Sequence, residues 1–163
     1  MPIEFRPIDD TNRIFVDRIF AGDTQQYWVH YNWYWVQNSE QHDDIDCQLI
    51  YPIGSDQPVG IIAYGQHYAD EELTQPVAGV YEVIHTVIDV AQQGRGYGRA
   101  ATEQAIDRLK QRPDCQRIVI AHHPDNHVAR RLYQSLGFVE FGRNYDDDPL
   151  LKLDLIESDD AVE

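Results

Sequence analysis

The stretch Gln93-Gly94-Arg95-Gly96-Tyr97-Gly98 constrains this chain more than any other. An apolar run, Val83 to Val90, leads into it, and a helical pattern starting near Arg99 leads out of it. Strand, glycine turn and helix in that order form a receptor for phosphate. Glycines let the backbone approach the anion closely, and the first free N–H groups of the helix point at it. Two familiar phosphate loops do not fit. The dinucleotide pattern Gly-x-Gly-x-x-Gly needs a third glycine where Arg99 stands, and the P-loop needs a Gly-Lys-Ser/Thr ending that is missing.

A second segment narrows the choice. Asn126, Ala129, Leu132, Tyr133, Gly137 and Phe138 follow the spacing Asn-x-x-Ala-x-x-Leu-Tyr-x-x-x-Gly-Phe. Together with the spacing Gln-x-x-Gly-x-Gly at Gln93, Gly96 and Gly98, in this order and at this separation, the chain resembles the GNAT family of N-acetyltransferases. The similarity is clear from Val80 to Val139, and within the family the chain looks most like bacterial spermine/spermidine-type acetyltransferases.

This resemblance implies an α/β fold: a mixed, splayed sheet of about seven strands flanked by about four helices. It implies acetyl-CoA as cosubstrate. Backbone N–H groups from Gly94 to Arg99 would hold its diphosphate, with Gln93 and Tyr97 in the same loop, and Arg95 and Arg99 would add charge-assisted bonds. Main-chain groups around Val87, Ile88 and Val90 would bind the pantetheine arm as an added strand. Asn126, Arg130 and Tyr133 fall at spacings of four and three on one helix, and Asn126 and Tyr133 share a face. In the family that asparagine contacts CoA and that tyrosine is the general acid for the departing thiolate; Arg130 joins them as a candidate contact. Homodimers are common in the family, which leaves a homodimer open here.

The general base is less well defined. Glu82 is the first candidate and His85 the second, either acting through water. Strict alternation along a strand places them on opposite faces unless a bulge intervenes. His122, His123 and His127 suggest a metal, but no cysteine or carboxylate completes a ligand spacing, so no metal is expected.

The rest of the chain reads as one domain, 1–157, followed by an acidic tail, 158–163. Ile3 to Ile8 alternates as an edge strand, and Ile14, Phe15, Arg18, Ile19 and Phe20 form a helical face after Asp9 or Asp10. Tyr27, Trp28, Tyr31, Tyr34 and Trp35 make an aromatic stripe on a helix starting at Thr24. Ser39 to Asp46 is a loop, Ile45–Tyr51 and Val59–Gly65 form a hairpin, and His67 to Gln75 is an acidic loop. Val77 to Val90 is a long strand. Ala101, Ala105, Ile106 and Leu109 are the core row of the helix that stops before Pro113. Arg117–Ala121 is a central parallel strand, and Val128, Leu132 and Leu136 are the core row of the last helix, stopped by Gly137. Phe138–Arg143 and Leu150–Ile156 close the sheet.

The formal net charge is −15, which disfavours nucleic acid and suits a cationic ligand or mere solubility. No apolar run is long enough for a membrane span. Cys47 and Cys115 read as buried free thiols, and the expected location is cytoplasmic. The expected function is acetyl transfer from acetyl-CoA to a primary amine of a small cationic acceptor, a polyamine above others. The alternatives are a noncatalytic acyl-CoA-binding domain on the same fold and a protein N-terminal or lysine acetyltransferase.

Overall fold

Alternation in Ile45-Asp46-Cys47-Gln48-Leu49 makes a strand with one buried face, and Ile3 and Phe5 supply the matching row on the first strand. A computed structural model describes residues 2–155 and pairs these two, β1 (Ile3–Pro7) and β2 (Ile45–Pro52), antiparallel, with Phe5 opposite Ile50. The remaining elements are α1 (Gln25–Gln41), β3 (Gly60–Tyr68), β4 (Pro76–Ile88), α2 (Tyr97–Lys110), β5 (Arg117–Ala121), α3 (His127–Ser135), β6 (Val139–Arg143) and β7 (Pro149–Asp154). A six-residue 3-10 helix, Arg13–Arg18, precedes α1. The strands form one seven-stranded mixed sheet in the order β1-β2-β3-β4-β5-β7-β6, the α/β fold anticipated. The acidic tail and Ile156 lie outside the described residues.

The chain gathers into two compact units. The first comprises Met1–Tyr64 and Ile84–Ala105, the second Gly65–Val83 and Ile106–Glu163. In the first, Val16 is buried on the 3-10 helix and Ile19 just past its end, while Ile14 is exposed. The helix is of the tighter 3-10 type and ends at Arg18, with Ile19 already extended, so the α-helical face expected here does not form. Helix α1 runs into the expected loop as far as Gln41. Its polar end is held by its own side chains: Asn38 Nδ2 donates to the Tyr34 carbonyl at 2.8 Å and Ser39 Oγ to that of Val36 at 2.7 Å.

Gly60 of β3 lies close against β4. A Cβ there would lie 2.5 Å from the Val87 carbonyl oxygen, a main-chain atom that cannot rotate away. Gly60→Ala is therefore expected to destabilise the fold by about 1–3 kcal/mol. A urea midpoint equal to that of the parent protein would show that the strands separate without penalty.

In the second unit β5 pairs parallel with β4, Val80 opposite Arg117 through Val83 opposite Ile120, and antiparallel with β7. Ile118, Val119 and Ile120 are buried, as a central strand requires. Strand β3 extends to Tyr68, which places His67 on a strand and not in a loop. Gln66 Nε2 donates to the carbonyls of His67, Val77 and Val80, holding β3 and β4 together past the point where the apolar pattern fades. The core row of α2 is as expected, with Ala101, Ala105, Ile106 and Leu109 buried. That of α3 is not: Val128 is 72% exposed and no residue of the helix is fully buried. Cys47 is buried, and burial pushes its thiol up to about 12, whereas Cys115 is only half-buried.

Candidate active site

The glycine turn belongs to the first unit and is braced from behind. Strand β4 stops at Ile88, so Val90 opens a short 3-10 turn, Val90–Gln92, and does not continue the strand. Asp89 accepts from the Ala91 N–H at 3.2 Å and from the Phe20 N–H at 3.3 Å, and the Val90 N–H donates to the Phe20 carbonyl at 2.8 Å. Gln93 Nε2 donates to the carbonyls of Ala21 and Ile88, at 2.8 and 3.1 Å. Both amide hydrogens of Gln93 are thereby occupied, and it can offer an anion only its backbone N–H.

Gly94 and Gly96 carry φ of +80° and +87°, the left-handed region that glycine enters without penalty. Helix α2 then starts at Tyr97, two residues earlier than the sequence pattern indicates. The first N–H closing onto this helix is that of Ala100, on the Gly96 carbonyl at 3.1 Å. The N–H groups of Tyr97 and Gly98 precede it, at the positive end of the helix dipole. The Tyr97 side chain is buried, so it serves the core. Arg95 is exposed, and Arg99 lies 3.9 Å from Glu103 one turn on. On strand β4 the Ile88 side chain lies against Gly60 of β3 and Gly98 of α2, and Val87 is buried. Val87 can therefore offer a ligand arm only its main chain.

The first unit also holds His85. Its Nε2 lies 2.9 Å from Asn32 Oδ1, and Asn32 Nδ2 donates to the carbonyls of Val16 and Ile19. The two carbonyls fix the amide's orientation, so Oδ1 accepts and His85 carries its hydrogen on Nε2. Burial lowers the imidazolium from 6.5 to about 4, which keeps the ring neutral near pH 7.

In the second unit Asn126 caps α3, its Oδ1 accepting from the Ala129 N–H at 3.0 Å. Arg130 makes an exposed ion pair with Glu140 at 3.5 Å. The ring of Tyr133 sits 6.4 Å from that of His122 and 6.3 Å from that of Phe138. Burial alone pushes the Tyr133 phenol up from 10 to about 12. Glu82 accepts a hydrogen bond from His67 Nδ1 at 2.7 Å, the two side chains being 17% and 15% exposed.

Three participants carry no signal in the sequence. His67 reads as loop, and Asn32 lies 53 residues from its partner His85. His122 stands out only as a metal ligand. It is buried, donates from Nδ1 to the His123 carbonyl at 2.7 Å, and leaves Nε2 buried with no partner among the described residues. No group of three or more His, Cys, Asp or Glu suited to a metal occurs among the described residues. No helix there is long and apolar enough to cross a membrane.

Comparison with known proteins bears on both segments. A mycothiol acetyltransferase of Kocuria rhizophila is 31% identical over 129 residues, covering 74% of this chain and 36% of its own length. One from Beutenbergia cavernae is 38% identical over 66 residues, 40% of this chain and 22% of its own. The chain thus spans about a third or less of the curated relatives it matches, and these are not of the spermine/spermidine type. Among solved structures, an acetyltransferase from Thermus thermophilus superposes with a TM-score of 0.69 at 17% identity, over 95% of this chain and 98% of that one. An aminoglycoside acetyltransferase in complex with coenzyme A gives 0.71 at 15% identity, over 99% and 100%. The profile of the acetyltransferase (GNAT) family matches residues 8–138, a span that takes in the glycine turn, α2 and α3 through Phe138. By that match the chain belongs to the acetyltransferase (GNAT) family.

Proposed function

We propose that the protein transfers the acetyl group of acetyl-CoA to a primary amine of a small cationic acceptor. The observation that supports this most is the start of α2. There, two left-handed glycines and the N–H groups at the helix start offer an anion receptor in a family of acetyl-CoA enzymes. Gly94 to Arg99 take the diphosphate, and the main chain of Val87, Ile88 and the Val90 carbonyl takes the pantetheine arm. Asn126 and Arg130 lie on the helix that carries Tyr133, the general acid, and Glu82 with its partner serves the amine's proton.

The phenol sets a condition on the chemistry. A free thiol titrates near 8.5, so a proton passed from a phenol held at about 12 to a finished thiolate would climb roughly three to four pKa units. Transfer therefore accompanies C–S cleavage, while the amine nitrogen of the tetrahedral adduct still carries positive charge. The lone pair of the amine forms the C–N bond, the C–S pair departs on sulfur, and Tyr133 protonates that sulfur.

A polyamine is the acceptor best suited to the charge of −15, with Glu71 and Glu72 exposed beside Asp70. Asp70 itself is occupied within its loop, accepting from the Thr74 and Gln75 N–H groups. Tyr27 and Tyr31, 52% and 40% exposed, present aromatic faces that attract cations. A second reading, an amine carried on a sugar, draws on the aminoglycoside acetyltransferase that shares the fold. Release of CoA thiol with spermidine, kanamycin, a lysine peptide and a neutral-tailed amine decides among them. Acetyl-CoA binding without release under any of these would identify a binding domain. With a polyamine acceptor, added salt is expected to raise KM for spermidine more than KM for the neutral-tailed amine, because salt screens exposed charges over about 8–10 Å. Equal shifts would remove the polyamine.

A further inference from the structure

His67 and Glu82 form a pair that no sequence motif indicates. They stand on neighbouring strands, β3 and β4, with Nδ1 and Oε1 2.7 Å apart and both side chains mostly removed from solvent. An ionised carboxylate only accepts hydrogen bonds, so the hydrogen between them belongs to Nδ1. The neutral ring then keeps its lone pair on Nε2. The backbone beneath is fixed on both strands: Gln66 Nε2 donates to the carbonyls of His67, Val77 and Val80, and Glu82 stands opposite Val119 in the β4–β5 ladder. A carboxylate that fixes an imidazole's tautomer and orientation, and stabilises the cation when the ring is protonated, forms the base half of a catalytic triad.

We propose that His67 Nε2 is the atom that takes the amine's proton, with Glu82 as its orienting carboxylate. This rests on the acetyl-transfer reading above. The amine nitrogen bonds to the acetyl carbon and, once the C–S bond has broken, gives one hydrogen, as a proton, to Nε2. The C–S bond breaks and sulfur takes the Tyr133 proton. His67 then returns its proton to solvent water, and the Tyr133 phenolate recovers one from water. Imidazole is the side chain enzymes use most often for this work. Glu82, the first candidate for the base, acts here through His67.

His67→Asn tests the assignment. Asparagine keeps an N–H donor near the Nδ1 position, so Glu82 stays paired, but nothing replaces Nε2. With acetyl-CoA and the best amine among spermidine and kanamycin, kcat is expected to fall by about 10²–10⁴-fold, with KM for the amine and calorimetric acetyl-CoA affinity nearly unchanged. His67→Ala should lose as much and recover part of its rate when imidazole is added. If His67→Asn holds kcat within a few-fold, Glu82 is itself the acceptor and His67 only steadies it. A loss in both variants that imidazole does not relieve would assign His67 a structural role. If His67→Asn also loses acetyl-CoA binding, the alanine variant with imidazole decides alone. Parent protein that binds acetyl-CoA but releases CoA with none of the amines would remove the acetyl-transfer reading and the dyad together. Parent turnover that His67→Asn leaves intact would remove the dyad alone.

Discussion

Tyr133→Phe is expected to lower kcat by about 10²–10⁴-fold while acetyl-CoA binds almost as before. The substitution keeps the ring and its packing beside His122 and Phe138 and deletes only the hydroxyl. That hydroxyl is the only part of Tyr133 able to hand a proton to sulfur. It holds its own firmly, since burial places the phenol at about 12, so essentially every molecule is in the donating form near pH 7. Removal of this one hydroxyl should change stability by no more than about 1 kcal/mol. A large kinetic loss on an undiminished fold separates chemistry from packing. If kcat holds within a few-fold while the chemical step limits turnover, Tyr133 is a packing residue and the sulfur takes its proton from the substrate ammonium or from water.

Gly96→Val should abolish most of the affinity for acetyl-CoA. The left-handed region costs a residue with a Cβ about 1–2 kcal/mol, and a β-branched side chain resists it most. At φ +87° valine would either bear that strain or pull the turn toward negative φ. Either response moves the N–H groups that follow, and every 1.4 kcal/mol lost from their bonds to phosphate is roughly a tenfold loss in affinity. The fold itself should survive, since nothing lies within 4 Å of where the new Cβ would stand. Calorimetry on the folded variant gives the answer: binding at the parent affinity would place the diphosphate elsewhere.

Legibility of the chain followed the range of the forces involved. Strand β5 is readable at both ends, because a short apolar run between Pro113 and a polar turn contains its own limits. The core row of α2 is readable for the same reason. The glycine turn is legible because its φ values demand glycine locally. What escapes is set by distant partners. His67 reads as loop because the hydrophobic alternation ends near Gly65. The strand continues there only because β4 and the amide of Gln66 hold it. The expected row of α3 is met only in part: Leu132 and Leu136 are half-buried on the side of Ala129 and Tyr133, while Val128 points to solvent. The His85–Asn32 and His67–Glu82 pairs join residues 53 and 15 positions apart, and period-two alternation states only which residues cannot share a face.

The aromatic stripe has an optical consequence. All three tryptophans of the chain, Trp28, Trp33 and Trp35, stand on α1. Trp35 is buried, Trp28 lies edge-on to Tyr27 at 5.1 Å, and Trp33 donates its indole N–H to Asp17 at 2.7 Å under the guanidinium of Arg13. Indole emission from this protein therefore originates in one helix and its immediate neighbours. The glycine turn, Tyr133 and the His67–Glu82 pair contribute no indole to the signal. An acceptor amine that settles on the exposed rings would quench or shift that emission directly. A ligand that touches no part of α1 could alter it only by moving that helix. A titration followed at the red edge of the spectrum thus separates acceptor contact at this helix from binding elsewhere, with no label attached.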